Sequence, residues 1–538
     1  MNTHDAEKAI DTTAHFEETA ARPGPRFADG ESLAGFTTTT SEKAGSSRYA
    51  SSETGLEHVK ASKAAERRLV RKLDVVILPM AVLLYLSAYL DRGAMGNAKL
   101  MGLEKTVLGN VDVRYSIALM CFYITYIVLS IPGTLFAKQF LPSTTIACGA
   151  LVWSIATTCQ AATHNPAALY VCRLFIGVGE AFFGQAMALY LSFWYTKQEL
   201  AKRIGLFIAA GSLAGAFSGL IAAGVSKINS SIDNWRILFL VEGLPSLLLA
   251  IIVFFFLPSR PDSSKFLNED ERTIACTRLN AESNGEVGKG IDWAAVRYAF
   301  KDWKIYVLAL AYSAMNLTLG SVSGFLPTIV KGLGYSNTDA QLYSVPPYAC
   351  ALGVMLLLTG ISDRLKSRGV FVMLVYCIGI GLGVDPLRRK AVGWAILYGV
   401  SPVHVSKGGL RARYFACCCL ASAGYANIPL IMAWVSNNSP SESQRAVGLG
   451  MLNSVGQCLS ILASFLFPKA EGPRFVKGES VNLAFQAFGL VIALCMTLYF
   501  RWENARRDKR EGGRPVKGMR VEGVAAAYDQ AIGYRYVA

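Results

Sequence analysis

Long runs of apolar residues recur along this chain, and each is close to the length needed to cross a bilayer. A hydrocarbon core takes about 20 residues of helix. The runs are Val75–Leu90, continuing through Asp91 and Arg92, then Tyr115–Ala137, Pro142–Thr163, Ala167–Tyr195, Ile204–Val225 and Arg236–Leu257. A charged stretch from Arg260 to Lys304 follows. Then come Ile305–Ile329, Leu342–Ile361, an irregular segment near 370–405, Tyr414–Val435, Ala446–Phe467 and Val481–Phe500. In lipid every backbone polar group must find its partner within the segment, so such runs fold as helices. The pattern predicts an all-α membrane protein with twelve transmembrane helices in two six-helix bundles. The irregular ninth run keeps ten or fourteen spans open as alternatives.

Composition agrees. Only 17% of the residues are charged, against about a quarter in soluble domains. The net charge of +15 suggests nucleic acid at first sight. The basic residues, however, stand in short clusters between apolar runs, as the positive-inside rule describes, and no nucleic-acid-binding module is visible. The partner expected from composition is the lipid bilayer, with no nucleic acid. The twelve Cys include no C-x-x-C pair and mostly fall inside apolar runs, where they read as small buried hydrophobes. The five His are scattered. No metal, cofactor or catalytic residue is expected, and H-E-x-x-H and G-x-S-x-G are absent, so the chain does not read as an enzyme.

The chain divides into a disordered tail (1–58), a first bundle (59–258), a central loop (259–304), a second bundle (305–500) and a C-terminal tail (501–538). Lys63, Arg67, Arg68 and Arg71 precede the first span, and Arg364, Lys366, Arg368, Arg506, Arg507, Lys509 and Arg510 fall on loops of the same side. That distribution puts both termini in the cytosol. Lys99, Lys105, Arg114, Lys331 and Lys469 fall on the other side and depart from the rule. The first residues do not form a cleavable signal peptide.

Three stretches carry a more specific signal: YLDRGAMGNAKLMGLEKTVLG from Tyr89, RLFIGVGEAFFGQAMALYLSFWY from Arg173, and NWRILFLVEGLPS from Asn234. SGFLPTIVKGLGYSNTDAQLYSVPPY, SDRLKSRG, LIMAWVSNNSPSESQRAVGLGMLNSVG and the terminal YRYV accompany them. Over roughly residues 65–505 the chain resembles the anion:cation symporter branch of the major facilitator superfamily, and within it the fungal allantoate-permease-like group. The resemblance implies two bundles around a central cavity, alternating access, and import of a small organic carboxylate such as allantoate, nicotinate or pantothenate with a proton. It also implies a plasma-membrane monomer. An exporter of the same superfamily and a nutrient sensor of the same fold are the competing readings; the lack of Pro in the fifth span argues against the exporter.

Charges inside a bilayer cost about 2.5–3.5 kcal/mol each on insertion scales, so each asks for a reason. Asp91 and Arg92 fall in the first span, Arg173 and Glu180 in the fourth. Residues seven apart return to within about 20° of one helix face, so Arg173 and Glu180 share an outlook. The expectation is that Arg92 and Arg173 bind the substrate carboxylate, with Tyr89, Asn316 and Asn453 lining the cavity, while Asp91 and Glu180 load and release the proton. The alternative is that these charges only hold helices together. Glu242, Tyr85, Asn427 and Gln457 are weaker candidates. Asp363 and Arg364, in SDRLKSRG, are expected to gate the cytosolic side.

Three further features stand out. Gly211, Gly215 and Gly219 form a small-residue face in the fifth span, suited to close helix packing. Gln185 and Ala186 occupy places where the group commonly has Pro-Gly, so the fourth span is expected to be straighter. Asp385, Arg388, Arg389 and Lys390 interrupt the ninth span, and residues 384–393 read as an insertion or a gene-model error.

Overall fold

The computed structural model describes residues 43–282, 292–381, 407–471, 475–515 and 527–538. It divides into two compact units, 1–63 and 64–538. Of the expected disordered tail, residues 1–42 lie outside the described residues. Residues 43–58 belong to the helix Lys43–Leu100. Their Ala, Glu, Lys and Ser content does not oppose helix.

Ten helices of the described residues are long and apolar enough to cross a membrane: Ala64–Leu100, Asp112–Ala137, Pro166–Ser192, Arg203–Val225, Asn234–Phe256, Trp303–Gly332, Asn337–Leu365, Ala412–Asn437, Ser443–Ala463 and Val476–Arg510. Two more occupy the third and ninth places. Pro142–Gln160 is less apolar because it carries Thr and Ser. Several of these hydroxyls bond back to the preceding turn, Thr145 to the Leu141 carbonyl and Thr158 to the Ser154 carbonyl, which satisfies them inside the helix. Gly369–Ile380 begins the ninth span. Its continuation, with the expected insertion at 384–393, lies outside the described residues. The twelve helices are called spans 1 to 12 below.

Glycines set the packing inside the first half. A Cβ on Gly177 would lie 2.1 Å from Thr125 Oγ1 of span 2, and one on Gly179 2.5 Å from the Gly149 carbonyl oxygen of span 3. Span 4 therefore seats directly on both neighbours. The small-residue face of span 5 turns out to join the two halves. A Cβ on Gly215 would come within 2.5 Å of the Tyr348 ring, and one on Gly219 within 2.7 Å of Ser344 Oγ, both on span 8. Beside them Ser226 donates to Gln341 Oε1 at 2.7 Å. Spans 2 and 7 meet where the Tyr115 hydroxyl donates to the Gly324 carbonyl (3.2 Å). Spans 2 and 11 meet through Asn453 Nδ2 donating to Ser130 Oγ (2.9 Å) and Ser454 Oγ donating to the Ile127 carbonyl (2.9 Å).

Two of the basic residues that depart from the rule at this far end are partnered locally. Lys99 pairs with Glu104 at 3.2 Å and lies 4.2 Å from the Tyr115 ring centre. Arg114 donates to the Leu108 carbonyl.

At the opposite end the central loop is structured. Glu269–Glu282 is a helix tied to the first half by Lys72–Glu271 (2.6 Å) and Arg278–Glu199 (3.1 Å). Trp293–Lys301, capped by Asp292, packs Val296 and Ala299 against Val447 and Met451 of span 11. The C-terminal tail is structured in part as well. Span 12 continues as helix to Arg510, and residues 527–538 fold back as a hook across the second half. The Val537 carbonyl accepts from Trp434 Nε1 (2.8 Å), Tyr536 N–H donates to Asn504 Oδ1 (2.9 Å), and the Ala538 carbonyl accepts from the Arg368 N–H (3.0 Å). Asp529 anchors the hook on Lys304 (2.9 Å) and receives the hydroxyls of Tyr536 (2.7 Å) and Tyr298.

Two outcomes follow from these contacts. Gly215→Leu overpacks the joint of spans 5 and 8, a class of change costing about 1–3 kcal/mol. The closed joint should lose roughly tenfold or more in population, and transport should fall while the protein still reaches the membrane. Unchanged transport would show that this joint does not close during the cycle. For the hook, burial alone raises the Asp529 carboxyl, but Lys304 and the hydrogen bonds of Tyr298 and Tyr536 outweigh it and hold it below the usual carboxylate range. A group depressed in the fold contributes fully above its unfolded value of about 3.9 and is lost only as pH falls through the lower folded value. Hydrogen exchange at the Tyr536 and Val537 amides, corrected for intrinsic rates, should thus be flat between about pH 8 and pH 5. It should rise several-fold in Asp529→Asn.

Candidate functional site

Tyr89, Asp91 and Arg92 sit on one helix, but successive residues are about 100° apart, and the fold sends them different ways. Tyr89 and Arg92 face the plane between the two halves. Arg92 Nε donates to Glu180 Oε2 of span 4 at 2.7 Å, and its second nitrogen shares the same oxygen. Three rings surround the guanidinium: Tyr89 at 4.8 Å, Tyr126 at 4.9 Å and Phe122 at 5.1 Å. Cation–π contacts of this kind strengthen when water is excluded. They also leave the flat fork as the one face of Arg92 able to take a carboxylate.

Two voids of about 20 Å³ each flank Arg92. The first is walled by Tyr85, Arg92, Glu180, Tyr312 and Asn453. The second is walled by Arg92, Tyr123, Tyr348, Tyr425 and Ser460. Tyr89 and Gln457 line both. This is the room of about one water molecule each, so the halves must part before any organic acid enters.

Asp91 points away from these voids, into the first half. It is fully buried, and the hydroxyl of Thr157 on span 3 is the polar group beside its carboxylate. Its charged neighbours are Glu180 and Arg173. Arg173 is buried too, with two of its guanidinium nitrogens unbonded among the described residues, and its acidic neighbours are Asp91 and Glu180. Glu242 of span 6 joins the same cluster. Ser218 donates to its Oε1 at 3.2 Å, Asn97 donates to Ser218 Oγ at 3.0 Å, and Oε2 is unbonded. Glu242 has Asp91 and Arg173 as its charged neighbours. Gln160 of span 3 is a buried amide with neither side-chain atom bonded among the described residues.

Of the residues singled out in the sequence, Arg92, Glu180, Tyr89 and Asn453 therefore meet at the cavity. Arg173 and Asp91 stand behind it, linked to it through Glu180. Asn316 lines neither void: it is buried and donates to the Gly456 carbonyl at 3.0 Å. Asp363 pairs with Arg368 of its own loop at 2.5 Å, while Arg364 is exposed. Among the weaker candidates, Tyr85 and Gln457 do line the cavity. Asn427 is buried with neither amide atom bonded among the described residues.

The rings of Phe122, Tyr126, Tyr312, Tyr348 and Tyr425 escaped the sequence reading. An aromatic residue in an apolar run carries no mark of which face it occupies. The expected straight fourth span is corrected as well. It is interrupted at Phe182–Phe183, between helices Pro166–Ala181 and Gly184–Ser192. No Pro is needed. Phe182 turns toward Phe136, Phe183 toward Trp153 and Phe207, and the Phe183 N–H closes a tight turn onto the Glu180 carbonyl. Span 11 breaks likewise at Gln457. Irregular backbone at membrane depth belongs where it lines a cavity, and both breaks do.

Residues 81–399 match the family described as Major Facilitator Superfamily. The chain belongs to this superfamily. The superfamily member is a multi-pass membrane transporter, not an enzyme. Over 466 residues it is 32% identical to the MFS-type transporter efuF of Hormonema carpetanum, covering 86% of this chain and 91% of that one. It is 30% identical to the Major facilitator-type transporter hxnP of Emericella nidulans (88% and 93% covered) and 30% identical to the High-affinity nicotinic acid transporter of Saccharomyces cerevisiae (84% and 82% covered). Among solved structures, the proton:xylose symporter XylE superposes with a TM-score of 0.61 at 13% identity, covering 79% of this chain and 96% of that one. That likeness shows the fold alone.

Removing one partner of a buried ion pair costs about 3–5 kcal/mol, because the other charge is left uncompensated. Arg92→Ala should therefore lower the melting temperature of the purified transporter markedly. Adding Glu180→Gln should restore most of the loss. Equal losses in the single and double variants would show that the two groups are not energetically coupled.

Proposed function

We propose that this transporter imports a small organic carboxylate together with a proton by alternating access, with both chain ends in the cytosol, as a monomer of the plasma membrane. The observation that carries the reading is the Arg92–Glu180 pair, set in aromatic walls on the plane between the halves. Charge balance supports the proton. The buried cluster holds three carboxylates, Asp91, Glu180 and Glu242, against two guanidinium groups, Arg92 and Arg173. Fully ionised it carries one net negative charge inside a bilayer, where charge is expensive. One bound proton makes it neutral, and a second leaves one positive charge free for an anion.

The cycle then runs as an exchange of partners on Arg92. With the cavity open to the acidic exterior, a proton binds the Glu180 carboxylate and breaks its pair with Arg92. The freed guanidinium takes the substrate carboxylate as a two-pronged hydrogen-bonded pair. Tyr85 and Tyr89 offer ring faces to a flat acid, which fits the nicotinic acid carried by one relative. Asp91 takes up and returns the proton behind the cavity, while Arg173 beside it stays charged and steadies the ionised carboxylate. When the halves rock and the cavity meets the cytosol, the proton leaves, Glu180 reclaims Arg92 and the substrate is released. The Asp363–Arg368 pair braces the cytosolic loop of the second half, and Arg364 adds to the basic surface there.

The test is uptake of labelled nicotinate, pantothenate and allantoate by yeast lacking its own carboxylate permeases, at two external pH values. The chain is expressed with and without residues 384–393. Uptake should rise at acid pH. Arg92→Ala should reduce it by at least about tenfold, since a hydrogen bond to a charged group is worth roughly 1.5–3 kcal/mol, and Asp91→Asn, which removes a proton-binding carboxylate, should abolish the rise at acid pH. Protein at the cell surface with no uptake of any acid at either pH would overturn the importer in favour of a sensor.

A further inference from the structure

Among the described residues, a cavity far larger than the voids at Arg92 lies away from the substrate site. It is a recess of about 860 Å³ between the start of span 7, the end of span 12 and the C-terminal hook. Its walls carry five cations, Lys301, Lys304, Arg506, Arg507 and Arg510, and four acids, Asp302, Glu503, Glu511 and Asp529. The acids are already engaged. Lys304 holds Asp302 (2.8 Å) and Asp529 (2.9 Å), Arg507 holds Glu503 (3.0 Å), and Arg535 holds Glu511 (2.9 Å). What is left over is positive. Lys301 and Arg510 are exposed and have no ion pair among the described residues. Arg506 reaches Glu503 only at 3.4 Å.

The mouth of the recess is aromatic. Trp303 and Trp502 are 49% and 58% exposed. Tyr499 stands between them, 4.9 Å from the Trp303 ring centre and 6.2 Å from that of Trp502. Trp and Tyr in such a cluster mark the membrane–water boundary. From the mouth two exposed apolar stripes run along the adjoining helices, Tyr306 and Leu310 on span 7, Leu494 and Leu498 on span 12. Each stripe follows the spacing of three or four residues that keeps side chains on one helix face.

We propose that this recess binds the headgroup of an anionic phospholipid, with its acyl chains lying on the stripes of spans 7 and 12. Lys301, Arg506 and Arg510 take the headgroup charges. Basic pockets between transmembrane helices recognise anionic headgroups in this way, and the cytosolic leaflet supplies such lipids. A soluble phosphate matches the cations but has no use for the aromatic mouth or the apolar stripes. Because the hook forms one wall of the recess, the bound lipid strengthens hook docking. The inference is independent of which substrate is carried.

The experiment uses the delipidated, detergent-purified full chain, titrated with phosphatidylserine, phosphatidylcholine or inorganic phosphate. Binding is read by native mass spectrometry and by melting temperature. Phosphatidylserine should be retained and raise the melting temperature, and the other two should not. Lys301→Gln/Arg506→Gln/Arg510→Gln should weaken phosphatidylserine binding by at least about tenfold. The exposed Arg510→Gln alone, which disturbs no pairing, should weaken it several-fold. A control with the same charge loss at the other basic cluster, Arg67→Gln/Arg68→Gln/Arg71→Gln, should bind as the parent does. Equal weakening in control and test variants, or inorganic phosphate matching phosphatidylserine, would overturn the lipid site.

Discussion

Everything at the centre of this protein depends on keeping a few charges inside a bilayer without leaving them alone there. The Arg92–Glu180 pair does this at the wall of the cavity. It needs spans 1 and 4 side by side, and the glycines of span 4 bring that helix directly against spans 2 and 3. It needs a place for Glu180 at the end of a helix segment, and the turn at Phe182–Phe183 supplies it. It needs water excluded, which the surrounding rings of Tyr89, Phe122 and Tyr126 accomplish. The packing of the first half is in this sense organised around one guanidinium.

The second half plays a different part. It contributes polar groups of modest strength, Asn453 and Gln457, and the phenols of Tyr312, Tyr348 and Tyr425. No acid or base of the second half lines either void among the described residues. Its ion pairs stand at its two ends instead, Arg413–Glu479 at one and the Lys304–Asp529 anchor, the hook and the Asp363–Arg368 pair at the other. In the proposed cycle this division lets one half hold the ligand's charge while the other closes over it.

Much of this was legible in the chain. The length and number of apolar runs, the division at the central loop and the costly charges at 91, 92, 173 and 180 are all one-dimensional facts. Helical spacing was enough to pair Arg173 with Glu180 in one cluster. It was not enough to say that Arg92, rather than Arg173, would reach the cavity, because that depends on the rotation of each helix about its own axis. The glycine face of span 5 announced close packing, but not that its partner would be span 8 of the other half. The break in span 4 had no Pro to signal it; it arises from where two bulky rings find room.

The sequence by itself determined the fold class, the order of the spans and the list of buried charges, since the bilayer tolerates only helices and makes every intramembrane charge conspicuous. Tertiary structure alone decided which charge faces the cavity, which rings enclose it, and how the last twelve residues close over the end of the second half. Those outcomes rest on contacts between residues as distant as 92 and 180 or 304 and 529. No local pattern encodes such contacts, because they exist only once the helices have packed.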